Sequence, residues 1–161
     1  MAKIERKYMA HFIDSNMGAG TASYTRLGKD LEELNIELNP DVEVFKNILG
    51  EQGVRHNGYE VSATAEPFYA DEDDPMFEPL QSIIDDRKMG DDCKTTVVEV
   101  HLWDETQTTG SFVAYREDCY VIPTSYGGDT SGYQIPFEIN YAGNRTKGTF
   151  VLSTKTFTAD S

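Results

Sequence analysis

The chain has 161 residues, of which 39% are hydrophobic and 26% charged, and it carries a formal net charge of −14. This composition predicts one globular domain and excludes a wholly disordered chain, because a sequence of this length can bury a real core. All of the net charge comes from residues 30–92, which hold 18 acidic and 4 basic residues. Such a surface excludes nucleic-acid binding through phosphates. It leaves three interpretations open: cation binding, a basic partner, or repulsion of an anion.

The N-terminal third predicts an arm followed by two paired strands. Residues 1–20 alternate weakly and end in a glycine-rich stretch, which predicts a mobile N-terminal arm. Ala22–Leu27 is a short strand candidate. Leu34–Leu38 and Val42–Ile48 alternate between apolar and polar residues on either side of an Asn-Pro-Asp turn, so they are predicted to pair with each other.

The middle of the chain predicts a loop, a strand and the one helix. Residues 49–58 contain three glycines and predict a long loop, whereas Tyr59–Phe68 alternates as a half-buried strand. A helix is predicted over about residues 75–88, because Asp74 can cap it and Pro75 suits its first position. Its apolar residues recur at helical spacing, namely Met76, Phe77, Leu80, Ile83 and Ile84.

The C-terminal half predicts strands and turns. The strand candidates are 95–103, 111–122, 133–141 and 148–157, and residues 154–161 predict a mobile C-terminal tail. The whole pattern predicts a mainly β fold in a single domain, residues 1–161. We expect a β-sandwich or partly closed barrel of two packed antiparallel sheets, with one flanking α-helix.

No residue pattern predicts catalysis or a metal site. The three histidines, at 11, 56 and 101, are far apart in sequence, and Asp71–Asp74 lacks the glycine and the final glutamate of a calcium loop. Cys93 and Cys119 are expected to be reduced thiols, because the chain shows no secretory signal and no CxxC motif. No apolar stretch is long enough to predict a membrane span. We therefore expect synthesis in the cytoplasm and no catalytic, cofactor-binding or metal-binding residues.

Several short segments of the sequence form a familiar series. The C-terminal half has YRED at 115–118, SYGGD at 125–129, GYQIPF at 132–137 and GNRTKG at 143–148. The N-terminal half has LGKDLEELNIELNPDVE at 27–43, KNILGE at 46–51 and YADEDDP at 69–75. In their order and spacing these segments resemble the tail tube proteins, or major tail proteins, of siphophages and related prophages in Gram-positive bacteria.

The resemblance implies a structural virion protein and no cofactor. Such proteins look like a β-sandwich or barrel with a flanking helix, and their copies assemble into hexameric rings that stack into the tail tube. The tube is the conduit for DNA ejection, and DNA passes through its lumen without specific binding. The implied partners are other copies of the chain and its neighbours in the tail: the tape measure, tail terminator and distal tail proteins. The implied location is the virion tail, after assembly in the host cytoplasm, with no membrane contact and no enzymatic activity.

Two hypotheses assign residues to this assembly. First, Ile4–Asp14, Leu49–Gly58 and Thr154–Ser161 become ordered when rings stack, so that deleting residues 1–14 leaves a folded monomer that forms no tubes. Second, acidic strand residues give the lumen a negative surface, while the clusters Asp71–Asp74 and Asp85–Asp92 can lie outside. The candidate inter-ring contacts are Ile4, Tyr8, Phe12, Leu49, Val54 and Arg55. The candidate lumen-facing acids are Glu37, Glu43, Glu60 and Glu66.

Two other classes of function are open. One is a monomeric β-sandwich binding module, for example for carbohydrate, in which Trp103 and the tyrosines form a sugar platform. The other is a small hydrolase on a β scaffold, which a cleft holding carboxylates of perturbed pKa would indicate. Rings or tubes in electron micrographs would exclude the first.

Overall fold

The computed structural model describes residues 3–18, 20–28 and 31–160, without the side chains of residues 31–33, 66 and 67. The predicted mainly β class with one flanking helix is confirmed, because 54% of the residues lie in strands and 11% are helical. The strands are β1 (Met9–Asp14), β2 (Tyr24–Leu27), β3 (Leu31–Glu37), β4 (Pro40–Lys46), β5 (Gln52–Tyr59), β6 (Ser62–Phe68), β7 (Lys94–Glu105), β8 (Ser111–Pro123), β9 (Gly127–Asp129), β10 (Gly132–Gln134), β11 (Phe137–Tyr141), β12 (Thr146–Val151) and β13 (Thr156–Ala159); the helix is α1 (Phe77–Asp86).

Nine strands form one curled antiparallel sheet, a half-barrel. Seven of them follow the order β2-β1-β7-β8-β11-β6-β3, and β12 and β13 lie off this path. The sheet branches along β8. One end of β8 pairs with β12, which in turn pairs with β13, and the other end pairs with β11. At the branch, the Asp118 N–H donates to Asn144 Oδ1 at 2.9 Å, and the Asn144 amide donates back to Asp118 Oδ2 at 2.6 Å. The β11–β12 loop is therefore fixed to the middle of β8 where its two partners diverge.

Two hydrophobic cores lie on opposite faces of the central strands. The inner core, on the face that α1 covers, includes Ile13 of β1 and Val97 of β7. The outer core includes Phe12 of β1 and Val98 of β7, which point the other way because successive side chains of a strand alternate. Strands β1, β7 and β8 thus contribute to both cores. The remaining buried members of the outer core are Ala10, Val100, Ala114 and Phe150.

Helix α1 begins two residues later than predicted and ends two residues earlier. The Asp74 carboxylate accepts the Met76 N–H at 2.9 Å, so the predicted cap residue does bind a free N–H at this end. Pro79 lies in the first turn, where its missing N–H costs no hydrogen bond. The helix ends where Arg87 adopts a left-handed conformation, with φ of 49°. Among the described residues, no helix has the length and apolar character needed to cross a membrane.

The predicted mobile N-terminal arm, residues 1–20, is wrong over residues 9–14. Residues 9–14 form β1, which pairs with both β2 and β7, and five of its six residues are buried. The alternation of this segment is weak because both of its faces are buried, as is typical of a central strand. Deleting residues 1–14 would remove this strand, so we no longer expect a folded monomer from that truncation.

Three other sequence-based assignments are corrected. The predicted loop at 49–58 contains most of β5, and the tail at 154–161 contains β13. Strands β3 and β4 do not pair with each other, because β3 pairs with β6 and β4 with β5. Glycine explains the missed β5: a Cβ on Gly53 would lie 2.6 Å from the Phe45 ring, so the cross-strand aromatic ring fills the space above this glycine.

Candidate functional site

A separate two-stranded sheet, β4 with β5, forms what we call the hairpin, residues 40–59. These strands pair with each other and with no other described strand. Asn47 sets the turn, because its Oδ1 accepts the N–H groups of Leu49 and Glu51 at 2.9 and 3.0 Å. At the base, the Asn39 amide donates to the Glu60 carbonyl at 2.9 Å. The hairpin is thus shaped by its own local hydrogen bonds.

The hairpin exposes apolar side chains on both strands and at the turn. Ile48 is fully exposed and Leu49 is 78% exposed. Isolated two-stranded hairpins are marginally stable in water, and monomeric proteins rarely expose a large contiguous apolar patch. This composition is typical of a surface that a partner covers. The other exposed apolar side chains of the hairpin are Val42, Val44, Phe45, Val54 and Tyr59.

A second feature, the acidic cavity, opens on the inner face of the half-barrel beside the hairpin base. Its volume is about 560 Å³. Glu99 of β7 and Glu117 of β8 lie in its wall with one cation, Arg145 of the β11–β12 loop. Leu38 and Tyr59 bring the hairpin base into the same wall. The other lining residues are Ile36, Val61, Val97, Tyr115, Tyr141 and Gly143.

Arg145 organises the two carboxylates. Its Nη2 donates to Glu99 Oε2 at 2.6 Å, and its guanidinium carbon lies 4.2 Å from the centroid of the Tyr115 ring. The distance from Nη1 to Glu117 Oε1 is 3.9 Å, and Glu117 Oε2 accepts the Gly143 N–H at 3.1 Å. The Arg145 guanidinium is therefore close to Glu99. Glu117 has a backbone N–H as its hydrogen-bond donor and lies farther from that guanidinium.

The two carboxylates differ in pKa for this reason. Burial opposes the ionisation of Glu99, but the hydrogen bond and positive charge of Arg145 outweigh it, so its pKa lies below the usual value. Burial raises the pKa of Glu117 above the usual value, and the Gly143 N–H and Arg145 only partly oppose that rise. A cleft with carboxylates of perturbed pKa is the feature that the hydrolase hypothesis requires. Here each carboxylate accepts a hydrogen bond from the β11–β12 loop, Glu99 from Arg145 and Glu117 from the Gly143 N–H.

Two histidines that are far apart in sequence lie beside Glu99. His101 Nε2 is 3.5 Å from Glu99 Oε2, and its ring stacks on Trp103 with centroids 4.6 Å apart. His11 is opposite Glu99 in the β1–β7 register, and it is buried, with no hydrogen-bond partner for Nδ1 among the described atoms. Burial lowers the pKa of His11 to about 4. In the described part of the chain, no group of three or more His, Cys, Asp or Glu residues could hold a metal ion.

Sequence reasoning missed this cluster. Glu99, Glu117, Arg145 and His11 come from four separate segments, and only the β1–β7–β8 register and the β11–β12 loop bring them together. The sequence signal for the loop was the GNRTKG segment at 143–148, which was used for the resemblance and not for any site.

The candidate inter-ring contacts divide into two groups, with one error. Leu49, Val54 and Arg55 lie on the hairpin and are exposed, and Arg55 also pairs with Glu43 at 3.3 Å. The N-terminal candidates Ile4 and Tyr8 are exposed as well. Phe12 is wrong as a contact, because it is 3% exposed in the outer core and its ring centroid is 4.5 Å from that of Phe150.

The candidate lumen acids are not brought together on one strand face. Glu43 is exposed on the hairpin, whereas Glu37 ends β3 and Glu60 follows β5 at the hairpin base, and both are exposed. The side chain of Glu66 lies outside the described residues. These three exposed acids therefore lie on the hairpin and at its base.

Comparison with known proteins adds no relative. No protein-family model matches the chain, and no curated protein matches it.

Proposed function

We propose that this protein is a structural subunit that assembles into hexameric rings, which stack as the tail tube of a siphophage or related prophage. The observation that carries the proposal is the exposed apolar hairpin, whose side chains find no partner surface within the described part of its own chain. The sequence resemblance to tail tube proteins indicates the kind of assembly, namely stacked hexameric rings. In this role the protein is not an enzyme, and its partners are its own copies and other tail proteins, among them the tape measure, tail terminator and distal tail proteins.

Edge strands offer further joining surfaces. Strands β2 and β3 end the strand order of the described sheet, and β13 ends its branch. Such edges carry unpaired backbone groups that another chain can bind. One outward carbonyl of β3, that of Leu34, is bound at 2.9 Å by the Arg6 guanidinium. Pairing between two different edges, such as β2 of one copy with β3 of the next, is a head-to-tail contact, which closes into a ring when the rotation between copies permits.

Charge supports the same function. The exposed acids Glu37, Glu43 and Glu60 belong to the part of the chain that holds all of the net negative charge. We propose that acids of this region line the lumen, because a negative wall repels phosphates and lets DNA pass without binding. Repulsion between the copies is limited by screening, since exposed charges separated by more than about 8 Å barely interact at physiological salt.

Negative-stain electron microscopy of concentrated protein tests the proposal. We expect rings and stacked tubes of constant diameter from the parent chain. A short-hairpin variant, in which Asn-Gly replaces residues 43–55 between the paired residues Val42 and His56, should stay folded and form none. The matched control is Met89→Ser, which removes an exposed apolar side chain outside the hairpin.

Two outcomes would contradict the proposal, and a third would contradict only the role of the hairpin in it. A parent chain that stays monomeric at every concentration and binds an oligosaccharide would favour the carbohydrate-binding module, and Trp103→Ala would then abolish the binding. Turnover of a glycoside by the monomer would favour the hydrolase. Normal tubes from the short-hairpin variant would show that the assembly does not need the hairpin.

A further inference from the structure

We propose that the hairpin tip of one copy, residues 46–51, docks in the acidic cavity of a second copy. The inference rests on the proposed self-assembly and adds the receiving site, which neither the sequence nor the resemblance indicates. The partner is thus a second copy of this chain, and the contact joins two different surfaces of it.

The tip has the chemistry of an inserted segment. Ile48 and Leu49 are its most exposed apolar residues, and the turn that presents them is held by the Asn47 side chain. Lys46 precedes them and forms no ion pair within the described part of the chain. The tip therefore offers two adjacent aliphatic side chains and one free cation, already fixed in a turn, so that little conformational entropy is lost on docking.

The cavity has the complementary chemistry. Its walls are largely apolar, and its ionised groups are two carboxylates against one guanidinium, which leaves a negative excess. The carboxylate with the weaker cation contact is Glu117, whose Oε1 is 3.9 Å from Arg145. A volume of about 560 Å³ lies within the range of pockets that bury small ligands, so it can hold two or three side chains. We assign the aliphatic walls to Ile48 and Leu49, and the Glu117 carboxylate to the Lys46 ammonium.

Geometry requires that the tip and the cavity belong to different copies. Leu38 and Tyr59 at the hairpin base line the cavity, whereas the tip lies at the far end of a seven-residue strand. A strand of that length places the tip roughly 20 Å from the base. Each copy can thus donate its tip once and accept a tip once, and such heterologous contacts propagate along rows or around rings instead of stopping at a dimer.

Disulfide trapping between two variants, each with one added cysteine, tests the docking. One variant carries Leu49→Cys at the tip, and the other carries Leu38→Cys at the cavity wall. The native Cys93 and Cys119 are buried, so they do not compete. After mixing, assembly and mild oxidation, we expect a disulfide-linked heterodimer. Leu49→Cys mixed with Met89→Cys, a cysteine at an exposed site outside the cavity, should give about tenfold less, because docking alone raises the local thiol concentration.

Charge reversal gives an independent readout. Lys46→Glu should raise the concentration needed for assembly about tenfold, because it places a third carboxylate in an acidic cavity. The control is Lys155→Glu in the exposed turn between β12 and β13, which should change that concentration by less than about twofold.

The outcomes separate this inference from the proposed function. Tubes that form without the Leu49–Leu38 crosslink, or with equal crosslinking to Met89→Cys, would overturn the docking and leave the self-assembly intact. An equal effect of Lys46→Glu and Lys155→Glu would also overturn it. If the parent chain forms neither tubes nor rings, both proposals are wrong.

Discussion

The half-barrel and the hairpin are both antiparallel β-structure rich in apolar side chains, but they treat those side chains in opposite ways. Phe137 of β11 is fully buried and Phe68 of β6 packs against it, with ring centroids 5.5 Å apart. Phe45 of the hairpin is exposed, and its ring contacts Gly53 and the Arg55 guanidinium of the adjacent strand. The same strand pattern therefore supplies a buried core in one region and an exposed apolar surface in the other. What distinguishes them is whether the chain itself provides a second layer.

We expect the stability of the monomer to depend on the half-barrel and its assembly to depend on the hairpin. Burial of apolar area is the main favourable term in folding, and almost all of it belongs to the two cores of the half-barrel. The hairpin contributes little to the folded monomer, so substitutions there can alter assembly without unfolding the chain. The following predictions test that division.

The largest expected effect on stability is that of Phe137→Ala. Truncating this fully buried ring leaves a cavity in the inner core, and we expect a loss of about 3–5 kcal/mol in the free energy of unfolding. The matched hairpin variant Phe45→Ala should lose less than about 1 kcal/mol, because its ring is already exposed. Denaturant unfolding of both variants at a concentration without assembly provides the measurement. Similar losses in the two variants would erase the distinction between the regions.

The second effect is a loss of stability in mild acid that depends on His11. Its folded pKa of about 4 lies below the ordinary value of 6.5, so the unfolded chain takes up the proton first as the pH falls. Stability should therefore decrease between pH 6.5 and about 4, by about 3 kcal/mol in total. His11→Gln should flatten this part of the profile. The lowered pKa of Glu99 adds a further loss in the same direction, but only below its usual value of 4.5.

The control for this pH profile comes from the hairpin. His56→Gln is the same substitution at an exposed position, so it removes no buried side chain and should give the parent profile. Denaturant unfolding at a series of pH values compares the three proteins. A parent profile that is flat from pH 6.5 to 4 would mean that His11 is not buried in neutral form.

The smallest effect on stability is expected for the hairpin tip. The double substitution Ile48→Ser with Leu49→Ser should change the free energy of monomer unfolding by less than about 0.5 kcal/mol, because both side chains are exposed. The same variant should form no tubes in electron micrographs. A loss of more than about 1 kcal/mol would show that the tip packs on its own half-barrel in solution.

Sequence patterns predicted those elements that have one buried and one exposed face. Helix α1 and the alternating strand β6 were found because a single face of each is apolar. Strand β1 was missed because the two cores bury both of its faces, so that its apolar run shows no clean alternation. Strand β5 was missed because the space above Gly53 is filled by a side chain from another strand.

The candidate site was predicted in part. The exposed hairpin residues Leu49, Val54 and Arg55 followed from local composition. The acidic cavity did not, since Arg145 reaches Glu99 of β7 and Glu117 of β8 from the β11–β12 loop, which is distant from both strands in sequence. Long-range register of this kind leaves no periodic trace in a single sequence. The burial of Phe12 was missed for the same reason, because it depends on Phe150 near the other end of the chain.

The branch of the sheet at β8 has a mechanical consequence. Strand β8 is bonded on one side to β7 and on the other to β11 and β12, and side chains of these central strands belong to both cores. The backbone ladders of β8 lie between the two cores, because side chains on opposite faces of this strand belong to different cores. A force applied to β7 is therefore transmitted to β11 and β12 through the hydrogen bonds of β8. The strands on the two sides of β8 should therefore move together. The hydrogen bonds between Asp118 and Asn144 hold the point where β11 and β12 diverge.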